Sequence, residues 1–394
     1  HGIRRRPVGA SAPPPDTMSA ATALPRFNLP MAPRDFLARH WQRAPLFMPG
    51  AAGGLDHPDA DTLAGLALEP EVESRLIRGA GNGPWHLEQG PLDEQRFAEL
   101  GDRDWTLLVQ SVDHYLTEVS LLLDDFGFVP GWRLDDIMIS YAAEGGSVGP
   151  HFDQYDVFLI QAAGQRHWQV GPHCDEQSRL RGDVPLKMLA HMPVEQEHTA
   201  GPGDVLYLPP GVAHHGVALD SDCITWSVGF RAPDYRDLLA EMVAETLADT
   251  DEQLYTDPGR APVDDAGELS AADRDAMLDR AFGLLDPGAA GRALARWLST
   301  PRQTGLDFLI DPAHIRAADP ATALIRHGGA RLLCHGDTAW LNGEPWPLNQ
   351  GQKPLARLLA RQRRYRHDEL AEVLNADSRD LLNHWIDQGY FAEL

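Results

Sequence analysis

The sequence is poor in cysteine, in basic residues and in long apolar runs, and each shortage removes a class of protein. Cys174, Cys223 and Cys334 are far apart, odd in number and contain no CxxC pair. That pattern excludes a disulfide framework and a zinc knuckle, and it points to a reducing compartment, the cytoplasm. No apolar stretch approaches the roughly 20 residues of a membrane helix, so no membrane association is expected. Lysine and arginine total 34 against 58 aspartate and glutamate, a formal charge of −24. Such a surface repels nucleic acid and anionic lipid and favours a basic protein, if it selects a partner at all. Repeats at solenoid spacing are missing too.

What is present suits a folded chain of two or three domains: 43% of 394 residues are hydrophobic. Arg4, Arg5 and Arg6 precede a Pro/Ala stretch without the apolar segment of a secretory signal. That stretch reads as a disordered tail, with Met18 as a candidate start. From Pro33 to Leu123 the pattern reads as short helices and loops, with Asp93 opening one helix and Trp105–Leu123 near helical period. From Trp132 the grammar changes. β-formers fill 133–141, 156–161, 166–170, 205–208 and 223–230, separated by Gly/Pro breaks. Short strands at this spacing predict a small antiparallel β-barrel. Beyond Pro233 the periodicity is helical over 235–247 and 271–284, the second opened by Ser270 with Asp273 in capping-box positions. These helices are too few for a core of their own and need something to pack on, such as a second copy. Strands at 330–334 and 338–341, followed by helices near 354–361, 367–374 and 378–388, are compatible with a winged helix.

One spacing carries chemistry. His-x-Asp on a strand turns both side chains to one face, where they can share a metal. A distant second histidine completes a two-His-one-carboxylate set, which leaves coordination positions open for co-substrate and dioxygen. The spacing recurs at His57/Asp59, His151/Asp153, His173/Asp175 and His335/Asp337. His57 precedes a proline at a helix start, His173 follows Pro172 beyond a strand, and His335 lies in a hairpin turn. Only His151 leads from a glycine-rich loop straight into a strongly apolar strand. The second histidine is His214 or His215, just past Pro209-Pro-Gly. Strand parity does not choose between them without the turn geometry.

Ile139-Ser-Tyr, Gly149-Pro-His-Phe-Asp-Gln-Tyr-Asp-Val-Phe, Trp168-Gln-Val-Gly, Gly203-Asp-Val-Leu-Tyr-Leu-Pro-Pro-Gly and Ser227-Val-Gly-Phe-Arg-Ala-Pro resemble the bacterial ribosomal oxygenases, enzymes of the JmjC-type cupin class. The resemblance implies an α+β chain. Its parts would be a disordered tail (1–25), a JmjC/cupin double-stranded β-helix barrel with flanking helices (26–233), a helical dimerisation segment (234–303) and a C-terminal winged-helix-like domain (304–394). It implies iron(II), with 2-oxoglutarate and dioxygen as co-substrates, in a cytoplasmic homodimer with no direct contact to nucleic acid or membrane. The reaction would add a hydroxyl to C3 of an arginine in large-subunit ribosomal protein sixteen, coupled to oxidative decarboxylation of 2-oxoglutarate.

The resemblance also distributes roles. His214 joins His151 and Asp153 as a metal ligand, and His215 becomes a neighbour. Arg166 takes the far carboxylate of 2-oxoglutarate, a task suited to a bidentate guanidinium, with Ser140 as an added donor. Asp136, Met138, Tyr155 and Ser227 form the arginine pocket. Read alone, Arg166 is an edge-strand surface residue, Asp136 a solvated one, Met138 and Tyr155 core side chains and Ser227 a small barrel filler. Three competing readings stand beside this one. The first is a JmjC histidine hydroxylase of another ribosomal protein, for which a carboxylate at Asp136 has no use. The second is a non-enzymatic, metal-sensing winged-helix regulator, with Lys353, Arg357, Arg361, Arg363, Arg364 and Arg366 as its basic run. The third is a small-molecule cupin isomerase or dioxygenase, which would not need Arg166.

Overall fold

The computed structural model of the chain describes residues 24–55, 58–248, 250–262, 266–301 and 312–394. The tail expected at 1–25 lies almost wholly outside them, as does His57. Seven strands build the barrel: β1 (Leu134–Ala142), β2 (Val157–Ala163), β3 (Arg166–His173), β4 (Gln196–Ala200), β5 (Val205–Leu208), β6 (Val212–Ala218) and β7 (Cys223–Phe230). In one sheet β5, β2, β7 and β1 lie side by side; in the other the order is β4, β3, β6. Val157 and Leu159 of β2 and Leu206 and Leu208 of β5 pack with Trp168 and Val170 of β3, Ala200 of β4 and Val212 of β6. That cluster closes the two sheets into a barrel.

Alternation explains what each strand face does. On β1, Ile137 and Ile139 pair with Val228 and Trp226 of β7 and join the main core outside the barrel. There Phe158 is ringed by Phe27, Phe36, Phe126, Tyr207 and Phe230, with centroids 4.8–5.6 Å away. The opposite face of β1 carries Asp136, Met138 and Ser140; Met138 and Ser140 pair with Ser227 and Thr225. β7 is buried along its whole length, as a central strand should be.

The N-terminal region differs from expectation. The Glu94–Ala98 helix forms with Asp93 as its cap, accepting from Gln95 N. Trp105–Val109, however, is a strand, lying between β1 and Ser74–Arg78, with His86–Gln89 at the sheet edge; Leu46–Met48 extends the other edge beside β5. A strand covered on both faces has no period of two, and Leu107, Leu108 and Val109 are all buried, so the segment mimicked a helix. Two barrel strands are also additions to the expected set. β4 is mostly polar and exposed, and β6 begins immediately after the Pro-Pro-Gly break. β3 runs on through Gly171 and Pro172 to His173.

The described residues divide into two compact units, one drawn from 24–232, 312–330 and 349–394, the other from 233–301 and 331–348. The first holds the barrel together with a three-stranded sheet (Arg364–Arg366, Thr322–Arg326, Phe391–Glu393) and the helices Lys353–Arg361, His367–Val373 and Ala376–Asp387. The second holds the helices Tyr235–Ala248, Ala271–Phe282 and Pro287–Ser299 and the sheet Leu332–His335, Thr338–Leu341, Glu344–Pro347. Ser270 caps its helix as expected, accepting from Asp273 N at 3.1 Å. Among the described residues, no helix is long and apolar enough to cross a membrane.

Inside the barrel Gly216 of β6 stands opposite Trp168 of β3. A Cβ there would fall 2.5 Å from the indole ring. Gly216→Ala is therefore expected to destabilise the protein by about 1–3 kcal/mol through overpacking, read as a lower urea midpoint. An unchanged midpoint would contradict the packing described.

Candidate functional site

The sequence left the barrel mouth with two loops to join, 144–151 and 209–214, and the backbone joins them directly. His151 N donates to His214 O at 3.0 Å, and His214 N donates to His151 O at 2.8 Å. This is a hydrogen-bonded antiparallel pair, and it brings the two imidazoles to a centroid separation of 4.2 Å. Gly211, with φ +81, turns the chain after Pro210 and donates its N–H to Asp153 O at 2.7 Å. The Pro-Pro-Gly break is thus the clasp that sets Asp153 beside β6.

Parity, open in the sequence, is settled by the register. His214 pairs with Val170 and shares the inner face with Gly216, whereas His215 pairs with Gln169 on the other face. The structure brings His151, Asp153 and His214 together, with one ligand atom of each within 4.8 Å of the others. Asp153 Oδ2 is 3.9 Å from His151 Nε2 and 3.7 Å from His214 Nε2. Donors about 2.0–2.2 Å from one ion stand roughly 3–4 Å apart, so the spacing fits a shared metal. His151 Nδ1 lies 2.9 Å from Gly149 O and His214 Nδ1 3.1 Å from Val212 O. A carbonyl only accepts, so each Nδ1 carries the proton and each Nε2 keeps its lone pair for the centre. Burial, reinforced by His151, lowers the His214 pKa to about 4, leaving the ring neutral at neutral pH. His215 is likewise lowered to about 4, mainly by burial.

Among the described residues, the other His-x-Asp motifs do not gather ligands. Asp59 caps the Ala60–Leu66 helix, His173 packs on Gly211, and His335 ends a strand at the Gly336 turn. Among the described residues no other group of three histidine, cysteine or acidic side chains is close enough to hold an ion.

Arg166 opens β3 and is 3% exposed. Its guanidinium stacks on Trp168 at 5.6 Å, and Trp168 in turn lies 6.1 Å from the His214 ring. Arg166 Nε and Nη2 are buried without a hydrogen-bond partner among the described residues. An unpaired buried charge costs several kcal/mol, a cost that a bound anion would relieve. Arg166 and Val170 are four residues apart on one strand, about 13 Å at 3.3 Å per residue. An arginine side chain and a short dicarboxylate together can bridge that span toward His214. Ser140 is buried, its hydroxyl 3.4 Å from Thr225 O; Thr225 Oγ1 donates to Gln161 Oε1 at 3.0 Å. Trp168, Thr225 and Gln161 were not singled out by sequence; their inward parity on neighbouring strands was the available signal.

The four residues expected to grip substrate lie along β1, β7 and the loop before β2. Asp136 is buried, and its Oδ2 accepts from Gln110 Nε2 at 2.7 Å and Ser111 Oγ at 2.6 Å. Met138 packs toward Leu108, Ile77 and Met188. Ser227 is buried beside it in register. Tyr155 is 40% exposed; desolvation and the carboxylates of Asp153 and Asp136 raise its pKa. One ring therefore feels both the three-residue cluster and Asp136.

Known proteins share this architecture. Residues 121–238 match the JmjC domain model and residues 279–392 the ROXA-like winged helix model. Ribosomal protein uL16 3-hydroxylase of Escherichia coli (strain K12) is 36% identical over 79% of this chain and 84% of its own length. The X-ray structure of E. coli ycfD superimposes with a TM-score of 0.81 at 31% identity, covering 94% of this chain and 100% of that one. A structure of YcfD in complex with cobalt and 2-oxoglutarate gives 0.77 at 31% identity, over 93% of this chain and 99% of that one.

Replacing either histidine separates their roles. His214→Ala is expected to abolish stoichiometric cobalt(II) binding in a calorimetric titration, and His215→Ala to leave the stoichiometry at one. The reverse pattern would place the centre on the other face of β6.

Proposed function

The chain belongs to the ribosomal oxygenases, 2-oxoglutarate-dependent enzymes with a JmjC domain and a ROXA-like winged helix, and from that premise we propose that it hydroxylates C3 of an arginine in large-subunit ribosomal protein uL16 (ribosomal protein sixteen). The observation that carries the reading is the presence, inside one barrel, of the three-residue cluster and of Arg166, whose buried Nε and Nη2 lack a hydrogen-bond partner among the described residues. A metal oxygenase with a dicarboxylate co-substrate needs both. The substrate follows from the uL16 3-hydroxylase relative and from Asp136, a carboxylate suited to a guanidinium.

In this reading His151, Asp153 and His214 would hold iron(II), which a two-His-one-carboxylate donor set suits. Bound there, the iron supplies dioxygen activation coupled to conversion of 2-oxoglutarate into succinate and carbon dioxide. The remaining work is done by the chain. Arg166 binds the far carboxylate of 2-oxoglutarate through two parallel hydrogen bonds, stiffened by Trp168, with Ser140 as an added donor. Asp136 and Ser227 receive the substrate guanidinium. Tyr155 and Met138 flank its alkyl stem, which fixes the carbon presented to the centre and keeps water out.

The same reading divides the chain into a tail (1–25), a catalytic domain (26–233), a helical dimerisation segment (234–303) and a winged-helix-like domain (304–394), acting in the cytoplasm without direct contact to nucleic acid or membrane. Homodimerisation is supported by the exposed Tyr235, Leu239, Leu247 and Phe282 on the segment's helices. The basic uL16 suits a chain of net charge −24.

Purified uL16 incubated with the enzyme, iron(II), 2-oxoglutarate and oxygen is expected to gain one oxygen atom, mapped by fragmentation to C3 of a single arginine. Arg166→Ala is expected to lose the gain at 2-oxoglutarate concentrations that saturate the wild type. Oxygen on a histidine instead, or full activity in Arg166→Ala, would overturn the assignment.

A further inference from the structure

The segment 110–113 lies outside the barrel strands, yet three side-chain contacts tie it to β1. Gln110 Nε2 and Ser111 Oγ both donate to Asp136 Oδ2, at 2.7 and 2.6 Å. Two residues further on, Asp113 Oδ1 accepts from Ile137 N at 2.8 Å. The segment therefore holds the Asp136 side chain and the backbone of the next residue at once. With Oδ2 bound by two donors, the plane of the carboxylate is set. Oδ1 then lies on the Gly229 side, where a Cβ would stand 3.6 Å away.

The backbone supports the same purpose. Ser111 has φ 52 and ψ 40, left-handed geometry that serine adopts at a cost of order 1 kcal/mol. It is 5% exposed, so the surroundings enforce the turn. Part of that enforcement comes from the C-terminal region of the same compact unit. A Cβ on Gly328 would fall 1.7 Å from Asp113 O and 3.1 Å from Ser120 Cβ, so the 327–330 turn rests directly on the segment. Next to it Asp124 receives the backbone N–H groups of Arg363 and Arg364. The left-handed turn carries the chain from the Trp105–Val109 strand into the 112–114 turn, where His114 N donates to Ser111 O at 2.9 Å, and it presents the Ser111 hydroxyl to Asp136.

We propose that Ser111 and Gln110 are positioning residues for substrate, fixing the Asp136 carboxylate in the orientation that receives the target guanidinium. This rests on the reading of Asp136 as the arginine clamp. Neither residue belongs to the His151–Asp153–His214 cluster, and the side chains of both bond to Asp136, so the expected effect is on protein-substrate binding. A preset carboxylate spares the substrate the loss of side-chain freedom that a free aspartate would impose on binding.

The test is a set of three variants, Ser111→Ala, Asp136→Ala and the double variant, assayed on purified uL16 by the single-oxygen mass gain. Ser111→Ala is expected to raise KM for uL16 about tenfold, the worth of one hydrogen bond to a charged group, while the apparent affinity for 2-oxoglutarate stays at the wild-type value. Asp136→Ala is expected to raise KM further, and the double variant to match Asp136→Ala, because Ser111 acts only through that carboxylate. Unchanged KM in Ser111→Ala beside a raised KM in Asp136→Ala overturns the positioning role alone. An equal added loss from Ser111→Ala in the Asp136→Ala background also overturns it, by assigning Ser111 a general structural role. Unchanged KM in Asp136→Ala overturns the clamp reading beneath it.

Discussion

Two reciprocal backbone hydrogen bonds between His151 and His214 are the constraint on which the site depends. They fasten a loop that comes out of the glycine-rich 144–149 stretch to the start of β6. Without them the two imidazoles sit on separate segments more than sixty residues apart in sequence, with no reason to converge. The supporting details serve this pair. Gly149 and Gly211 supply left-handed turns on either side of it, with φ +78 and +81. The carbonyls of Gly149 and Val212 take the Nδ1 protons, so the orientation of each ring is decided by backbone rather than by flexible side chains. Sites held in this way are preorganised, with little reorganisation left when an ion arrives.

The second constraint is electrostatic. Burying a guanidinium with Nε and Nη2 unmatched works against folding. The barrel tolerates it because Trp168 lies over the group, and Gly216 opposite gives Trp168 its room. Arg166, Trp168 and Val170 on β3 face Ala218, Gly216 and His214 on β6 pair by pair. One two-stranded register therefore sets the distance between a cation and a candidate metal ligand. In the proposed function that distance measures the co-substrate.

Legibility from sequence followed locality. His151 and Asp153 could be singled out because the motif runs directly into an apolar strand, and the strand at 205–208 because Gly203 and Pro209 bracket it. His214 and His215 could not be ranked from the residues, because the choice depends on where β6 begins, and that start is set by the Gly211 contact to Asp153 O. Trp105–Val109 read as helix because a strand buried on both faces loses its alternation. Gln110 and Ser111 carried no signal at all: their partner Asp136 is met only once the sheet has formed. The burial of Arg166 was equally hidden, since a lone arginine at the head of a strand is most often exposed.

The central claim is that the metal cluster and Arg166 form one site measured for a dicarboxylate. It is tested most directly by comparing 2-oxoglutarate with 2-oxobutyrate, which lacks the far carboxylate, in calorimetric binding to cobalt(II)-loaded wild type and Arg166→Ala. In the wild type, loss of that carboxylate should weaken binding about tenfold or more, as expected for hydrogen bonds to a charged group. In Arg166→Ala the two ligands should bind alike. The same discrimination in both proteins would mean that another residue holds the far carboxylate, and the account of the site would fail.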